Sequence, residues 1–139
     1  MEKITVEILV DAPLDRVWSF WTEPQHIQGW AFASDDWEAV NAENDLRISG
    51  MFKTRMQAKD GSAGFEFSGT YTDVVQHEHI AYVMDDGRQV SIQFEKTSSG
   101  VRVIETFDPE GENTPEMQRA GWQAILENFK SYVEKTVNL

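Results

Sequence analysis

Apolar positions follow two periods along the chain. Ile4, Val6, Ile8 and Val10 alternate with Thr5, Glu7 and Leu9, which predicts a half-buried strand. Asp11-Ala12-Pro13 stops it, and a proline behind an acidic residue is a helix start. Leu14, Val17, Trp18 and Trp21 then fall at helical spacing and predict a short amphipathic helix. Thr22-Glu23-Pro24-Gln25 reads as a capping box that opens a second short helix over 23–28, ended by Gly29, so that the two form a V. From Trp37 the period returns to two, with strands expected at 37–42, 46–58, 64–75, 79–84, 88–96 and 100–108. Lys59-Asp60-Gly61, Asp85-Asp86-Gly87 and Ser98-Ser99-Gly100 supply the turn residues between them. The count is about seven strands, mostly antiparallel.

The end of the chain is one long helix, over 114–139. Thr114 is its N-cap, Pro115 suits the first turn, and Glu116 favours the positive end of the dipole. Gln118, Trp122, Ile125, Leu126, Phe129, Tyr132 and Val133 share one arc, with Arg119, Gln123, Glu127, Lys130 and Glu134 opposite. Gly121 borders the apolar arc, where a missing side chain is expected to permit close backbone approach. A long helix with an aromatic face needs a partner, and a curved sheet is the one this chain offers. The prediction is a single α+β domain over residues 1–139, without repeat or linker.

Composition narrows the functional classes. A net charge of −12, from 24 acidic and 12 basic residues, argues against nucleic acid and against an anionic membrane surface. The absence of cysteine excludes disulfides, thiolate metal sites and cysteine nucleophiles. Met1-Glu2-Lys3 leads straight into a strand pattern and no apolar run approaches a membrane span, so a soluble cytoplasmic protein is expected. No Gly-x-Ser-x-Gly, Walker or Gly-x-Gly-x-x-Gly motif is present. His77-Glu78-His79 has no third metal ligand placed by spacing and reads as a solvated turn; His26 reads as surface. Neither a metal nor a cofactor is expected.

The order of elements, with Ala12-Pro13 through Val17-Trp18, Trp21-Thr22-Glu23-Pro24, Trp30, Ala58-Lys59-Asp60-Gly61, Phe65 to Tyr71, Glu105-Thr106-Phe107 and above all Gln118 to Leu126 with Asn128-Phe129, resembles the bacterial relatives of the C-terminal domain of the activator of Hsp90 ATPase. These belong to the START-like (SRPBCC) superfamily. The resemblance implies a helix-grip (START-like/Bet v 1-like) fold and a ligand cavity. Its name adds contact with an Hsp90-type chaperone as an alternative. Met51 stands where that pattern would place the second glycine of a pair before Phe52, a departure that bears on a bulge and not on the fold.

A cavity between the long helix and the concave face would hold a hydrophobic or aromatic small molecule. By parity Phe52 and Met56 share one face, as do Phe65, Phe67 and Tyr71; Ile80, Tyr82 and Met84; Val90, Ile92 and Phe94; and Val103, Glu105 and Phe107. Trp122, Ile125 and Phe129 would face them. Trp30, Phe32 and Trp37 flank a segment, 31–36, that would serve as a lid; Trp18 and Trp21 are expected to pack helix on sheet. The expected ligand-binding set is therefore Trp30, Phe32, Trp37, Phe52, Met56, Phe67, Tyr71, Tyr82, Phe94, Glu105, Phe107, Gln118, Trp122, Ile125 and Phe129. Glu105 and Gln118 are expected to meet near the cavity mouth. Nothing compels an enzyme; relatives with cyclase or dehydratase chemistry would imply Glu105 with Tyr71 or Tyr82 as acid and base.

Overall fold

Period-two patterning becomes one continuous sheet. The structure, a computed structural model, describes residues 2–138. Its elements are β1 (Ile4–Val10), α1 (Leu14–Thr22), α2 (Pro24–Ile27), β2 (Trp37–Asn44), β3 (Met51–Ala58), β4 (Gly64–Val75), β5 (His79–Met84), β6 (Gln89–Thr97), β7 (Gly100–Phe107) and α3 (Pro115–Val137). The sheet has seven strands in the order β1-β7-β6-β5-β4-β3-β2, antiparallel throughout. Gly61, Gly87 and Gly100 take positive φ in the hairpins, as the turn pattern requires.

Three local expectations are corrected. The strand expected over 46–58 begins only at Met51, while β2 runs on to Asn44 past a register shift. Ser49 turns with φ 71 and Gly50 N–H donates to the Arg47 carbonyl at 2.8 Å, so 45–50 is a connection and Ile48 is exposed. Alternation alone does not reveal a turn built by backbone hydrogen bonds. The capping box at Thr22 is not made, because its hydroxyl donates back to the Trp18 carbonyl at 2.9 Å and Glu23 takes the N-cap position without a side-chain bond. Pro13, expected inside the first turn, is the N-cap of α1.

The long helix starts where its cap predicts: the Thr114 hydroxyl accepts from Met117 N–H at 3.2 Å. Leu126, Phe129 and Val133 are fully buried on its inner arc. The outer arc is not idle. Arg119 donates to the Thr5 carbonyl at 2.7 Å, Gln123 to Glu7 at 3.0 Å and Lys130 to Leu9 at 2.7 Å. Alternate carbonyls along the outer edge of β1 are thereby satisfied by a helix instead of another strand. The α3 backbone runs alongside β1 and stands off from the middle strands. Gly121 borders this standoff, and a Cβ there would meet nothing within 4 Å. The close approach expected at Gly121 is absent, since the helix contacts the sheet through the large side chains on either side of it.

Candidate functional site

Standoff between α3 and the sheet leaves a cavity of about 550 Å³. That volume lies within the usual range of small-molecule sites, ~300–1,000 Å³. Phe52, Thr54 and Met56 of β3, Phe67 and Tyr71 of β4, Ile80 and Tyr82 of β5 and Glu105 of β7 line the sheet side. Trp122 and Ile125 line the helix side, and Trp21, Ile27, Trp30 and Ala31 close one end. Exposed Glu43, Glu66, Asp85 and Asp86, with Phe65, Ser68, Met84 and Arg88, rim the opening.

The aromatic walls are held by one another. Trp122 stacks on fully buried Phe107 with centroids 3.9 Å apart. Phe52 meets Tyr82 edge-on at 4.7 Å and Tyr71 at 5.3 Å. Gly69 makes room for this cluster, because a Cβ there would lie 2.6 Å from the Val83 carbonyl and 3.0 Å from the Phe52 ring. Trp30 is fixed by its indole N–H on the Phe20 carbonyl at 2.9 Å and by its ring against Phe129 at 4.8 Å. Asn128 of α3 donates to the Trp30 carbonyl at 3.0 Å and the Phe32 carbonyl at 3.3 Å, tying the start of the 31–36 segment to the helix.

Glu105 is the exceptional group. It sits on β7 between Val103 and Phe107 and opposite Val6 and Ile92, all buried, and is itself only 5 % exposed. No described residue donates a hydrogen bond to its carboxyl, and burial alone pushes it from the usual 4.5 up to about 8. At neutral pH it is mostly a neutral acid facing the cavity. The Tyr82 phenol is raised well above its ordinary value, chiefly by burial and then by Glu105. The Tyr71 phenol is raised as well, by burial, but its hydroxyl is committed to the Asn44 side chain, which in turn donates to the Thr22 carbonyl at 2.6 Å.

Nine residues of the expected set line the cavity: Trp30, Phe52, Met56, Phe67, Tyr71, Tyr82, Glu105, Trp122 and Ile125. Six do not. Phe107 and Phe129 are fully buried behind Trp122 and Trp30, and Phe94 packs under Trp18 at 5.2 Å. Trp37 pairs with Phe65 at 6.0 Å, and the Phe32 side chain is half-buried away from the lining. Gln118 does not meet Glu105. Its amide spans Glu110 N–H at 2.8 Å and the Asn113 carbonyl at 2.8 Å, stapling the preceding loop to the helix start. A polar residue on an apolar arc beside a polar loop is equally well read as such a staple. Sequence reasoning missed Trp21, which lines the cavity besides packing near Phe94, and Thr54 and the acidic rim. Parity had put Phe65, Ile80 and Met84 on the concave face without assigning them to the site. His26, expected on the surface, is half-buried: its ring bonds the Tyr132 hydroxyl at 2.9 Å and packs on Phe20 at 4.3 Å. His79 pairs with Asp73 at 2.9 Å, and the described residues contain no cluster fit to hold a metal ion. No helix among them is long and apolar enough to cross a membrane.

Comparison with known proteins supports the same architecture. The solution structure of an AHSA1-like protein from Aeromonas hydrophila is 46% identical, with a TM-score of 0.92 over 97% of this chain and 94% of that one. A solution structure from Cytophaga hutchinsonii is 47% identical, with a TM-score of 0.83 over 98% and 94% of the two chains. A Chromobacterium violaceum crystal structure at 23% identity and TM-score 0.85, over 96% of this chain and 99% of that one, shares the fold. None of the curated proteins searched matches the chain. The sequence profile of the activator of Hsp90 ATPase homolog 1-like proteins matches residues 11–134, and the chain belongs to that family.

Proposed function

We propose that this protein binds an apolar or aromatic small molecule in the cavity between α3 and the concave face of the sheet. The observation that carries the reading is a 550 Å³ aromatic-walled space containing one buried carboxyl with no protein partner. Native interiors are packed to near crystal density, and buried polar groups in them are paired. A space of this size departs from the first rule, and the carboxyl on its wall, which no described residue pairs, opens its oxygens onto that space. Phe52, Phe67, Tyr82 and Trp122 supply flat apolar contact, and Glu105 and Tyr82 supply the polar anchors.

The test is titration with Nile red, a neutral environment-sensitive dye. Saturable binding should bring enhanced dye emission and quenching of tryptophan fluorescence, and Trp122→Ala should weaken it. Dye binding unchanged in Trp122→Ala, or no saturable binding at all, would contradict the reading.

Acid catalysis is a second reading that one observation favours. Glu105, raised to about 8, beside a buried Tyr82 has the protonation state of a general acid near neutral pH. Tyr71 is the weaker candidate, since its hydroxyl is already engaged with Asn44. A substrate turned over at an unchanged rate by Glu105→Gln would remove this reading. Contact with an Hsp90-type chaperone is supported by the family description alone; a pull-down with a bacterial Hsp90 and an ATPase assay tests it.

A further inference from the structure

We infer that the cavity selects an organic cation, an aromatic or apolar amine whose protonated nitrogen is seated on the Glu105 carboxyl with its ring between Trp122 and the β3–β5 aromatics. This deepens the small-molecule reading and rests on it. Three independent observations point the same way.

The first is the unpaired acid. Glu105 is 5 % exposed, lines the cavity, and receives no hydrogen bond from a described residue. Its buried neighbours Val6, Ile92, Val103 and Phe107 offer no partner. A ligand ammonium would supply the missing countercharge and several N–H donors.

The second is the wall. Phe67 faces Trp122 at 6.3 Å and Tyr82 at 6.1 Å, so ring faces and edges surround the space beside the carboxyl. Aromatic faces attract an organic cation and give an organic anion no such contact.

The third is the rim. Glu43, Glu66, Asp85 and Asp86 stand at the opening against three cations: Arg88 is held by Asp86 at 2.8 Å, Lys53 lies 3.9 Å from Glu43, and Arg55 stands opposite Glu66 across β3 and β4. Four acids against three cations leave the entrance acidic by one charge, and on a chain of net charge −12 that balance favours cations over carboxylates. The titratable and charged groups around Glu105 are therefore Tyr71 and Tyr82 on the sheet, Arg88 on the β5–β6 hairpin, and the rim acids with Lys53 and Arg55 of β3 beside them; α3 contributes only Trp122 and Ile125 to the lining.

The step is a proton exchange. Near neutral pH the free Glu105 is largely protonated, and an arriving ammonium favours its carboxylate, so the carboxyl proton leaves to buffer and an ion pair remains.

The experiment compares 2-naphthylmethylamine, 2-naphthalenemethanol and 2-naphthoic acid by calorimetry at neutral pH, in buffers of differing ionisation enthalpy. The amine should bind roughly tenfold or more tighter than the alcohol, with the acid weakest, and only the amine should release a proton. In Glu105→Gln the amine should fall to the affinity of the alcohol and release no proton, with the fold checked by its NMR spectrum. Alcohol or acid binding as tightly as the amine would overturn the cation assignment and leave the cavity reading intact. An amine preference that persists in a folded Glu105→Gln would remove Glu105 from it. Absence of proton release on the unmodified protein would overturn the assignment even if that variant does not fold. Failure of all three probes to bind at millimolar concentration would overturn the cavity reading and this inference together.

Discussion

Trp122 lies flat on Phe107, with ring centroids 3.9 Å apart and planes 7° from parallel. The stack makes a half-buried helix residue into a fixed wall of the cavity, backed by a fully buried ring of β7. Such a contact contributes about 0.5–1.5 kcal/mol beyond its buried area. Trp122→Ala should cost about 2–3 kcal/mol in urea denaturation, and Trp122→Phe about half that, because a smaller ring retains part of the stack. Both should weaken Nile red binding in the same order.

Glu105 makes stability fall as pH rises. Its folded value is raised from 4.5 to about 8, so the folded state holds its proton more tightly than the unfolded chain does. The contribution is fully present below about pH 4.5 and is lost progressively as pH rises through about 8, with a slope of at most ~1.4 kcal/mol per pH unit. Glu105→Gln should flatten this dependence and raise stability near pH 9 by about 2–4 kcal/mol. Parallel pH profiles for the two proteins in chemical denaturation would show that Glu105 is not buried as described.

Two glycines should respond in opposite directions. A Cβ on Gly121 meets nothing within 4 Å, so Gly121→Ala should stabilise α3 by about 0.5–1 kcal/mol. A Cβ on Gly69 would press on the Val83 carbonyl at 2.6 Å and on the Phe52 ring, so Gly69→Ala should destabilise by about 1–3 kcal/mol. Thermal denaturation distinguishes them, and a destabilised Gly121→Ala would mean that α3 sits closer to the sheet than observed.

Arg119, Gln123 and Lys130 cap the carbonyls of Thr5, Glu7 and Leu9 on the open edge of β1. Replacing all three with alanine should cost about 1–3 kcal/mol and free that edge for pairing with another copy. Size-exclusion chromatography over a range of concentrations should then reveal more association than the unmodified protein shows.

Asn128 ties α3 to the carbonyls of Trp30 and Phe32. Asn128→Ala should speed amide hydrogen exchange in 31–36 while leaving that of β6 and β7 unchanged, and should raise the dissociation rate of a bound dye. Uniform acceleration across the molecule would instead indicate a global loss of stability.

The fold was legible because its signals are repeated. Seven strands carry period-two patterning with glycine turns, and one helix carries Thr114-Pro115 at its start. The concave side was legible by parity, which placed Phe52, Phe67, Tyr82 and Glu105 on one surface. What parity does not give is depth. Phe107 and Trp122 share the interior, yet one is a buried support and the other a wall, and only their stacking order decides which. The contacts that Arg119, Gln123 and Lys130 make from the outer arc of α3 were not legible, because an amphipathic wheel cannot show a strand edge alongside. The acidic rim drew on a hairpin turn and two strands far apart in sequence, so no local pattern announced it.

A titration of isotope-labelled protein with 2-naphthylmethylamine, followed by NMR, tests the central claim most directly. The account predicts saturable shifts at the Trp122 indole, Tyr82, Phe67 and the Glu105 carboxyl, whose signal moves toward the ionised form. Shifts confined to exposed Ile48 and Met51, with the cavity signals unmoved, would contradict it.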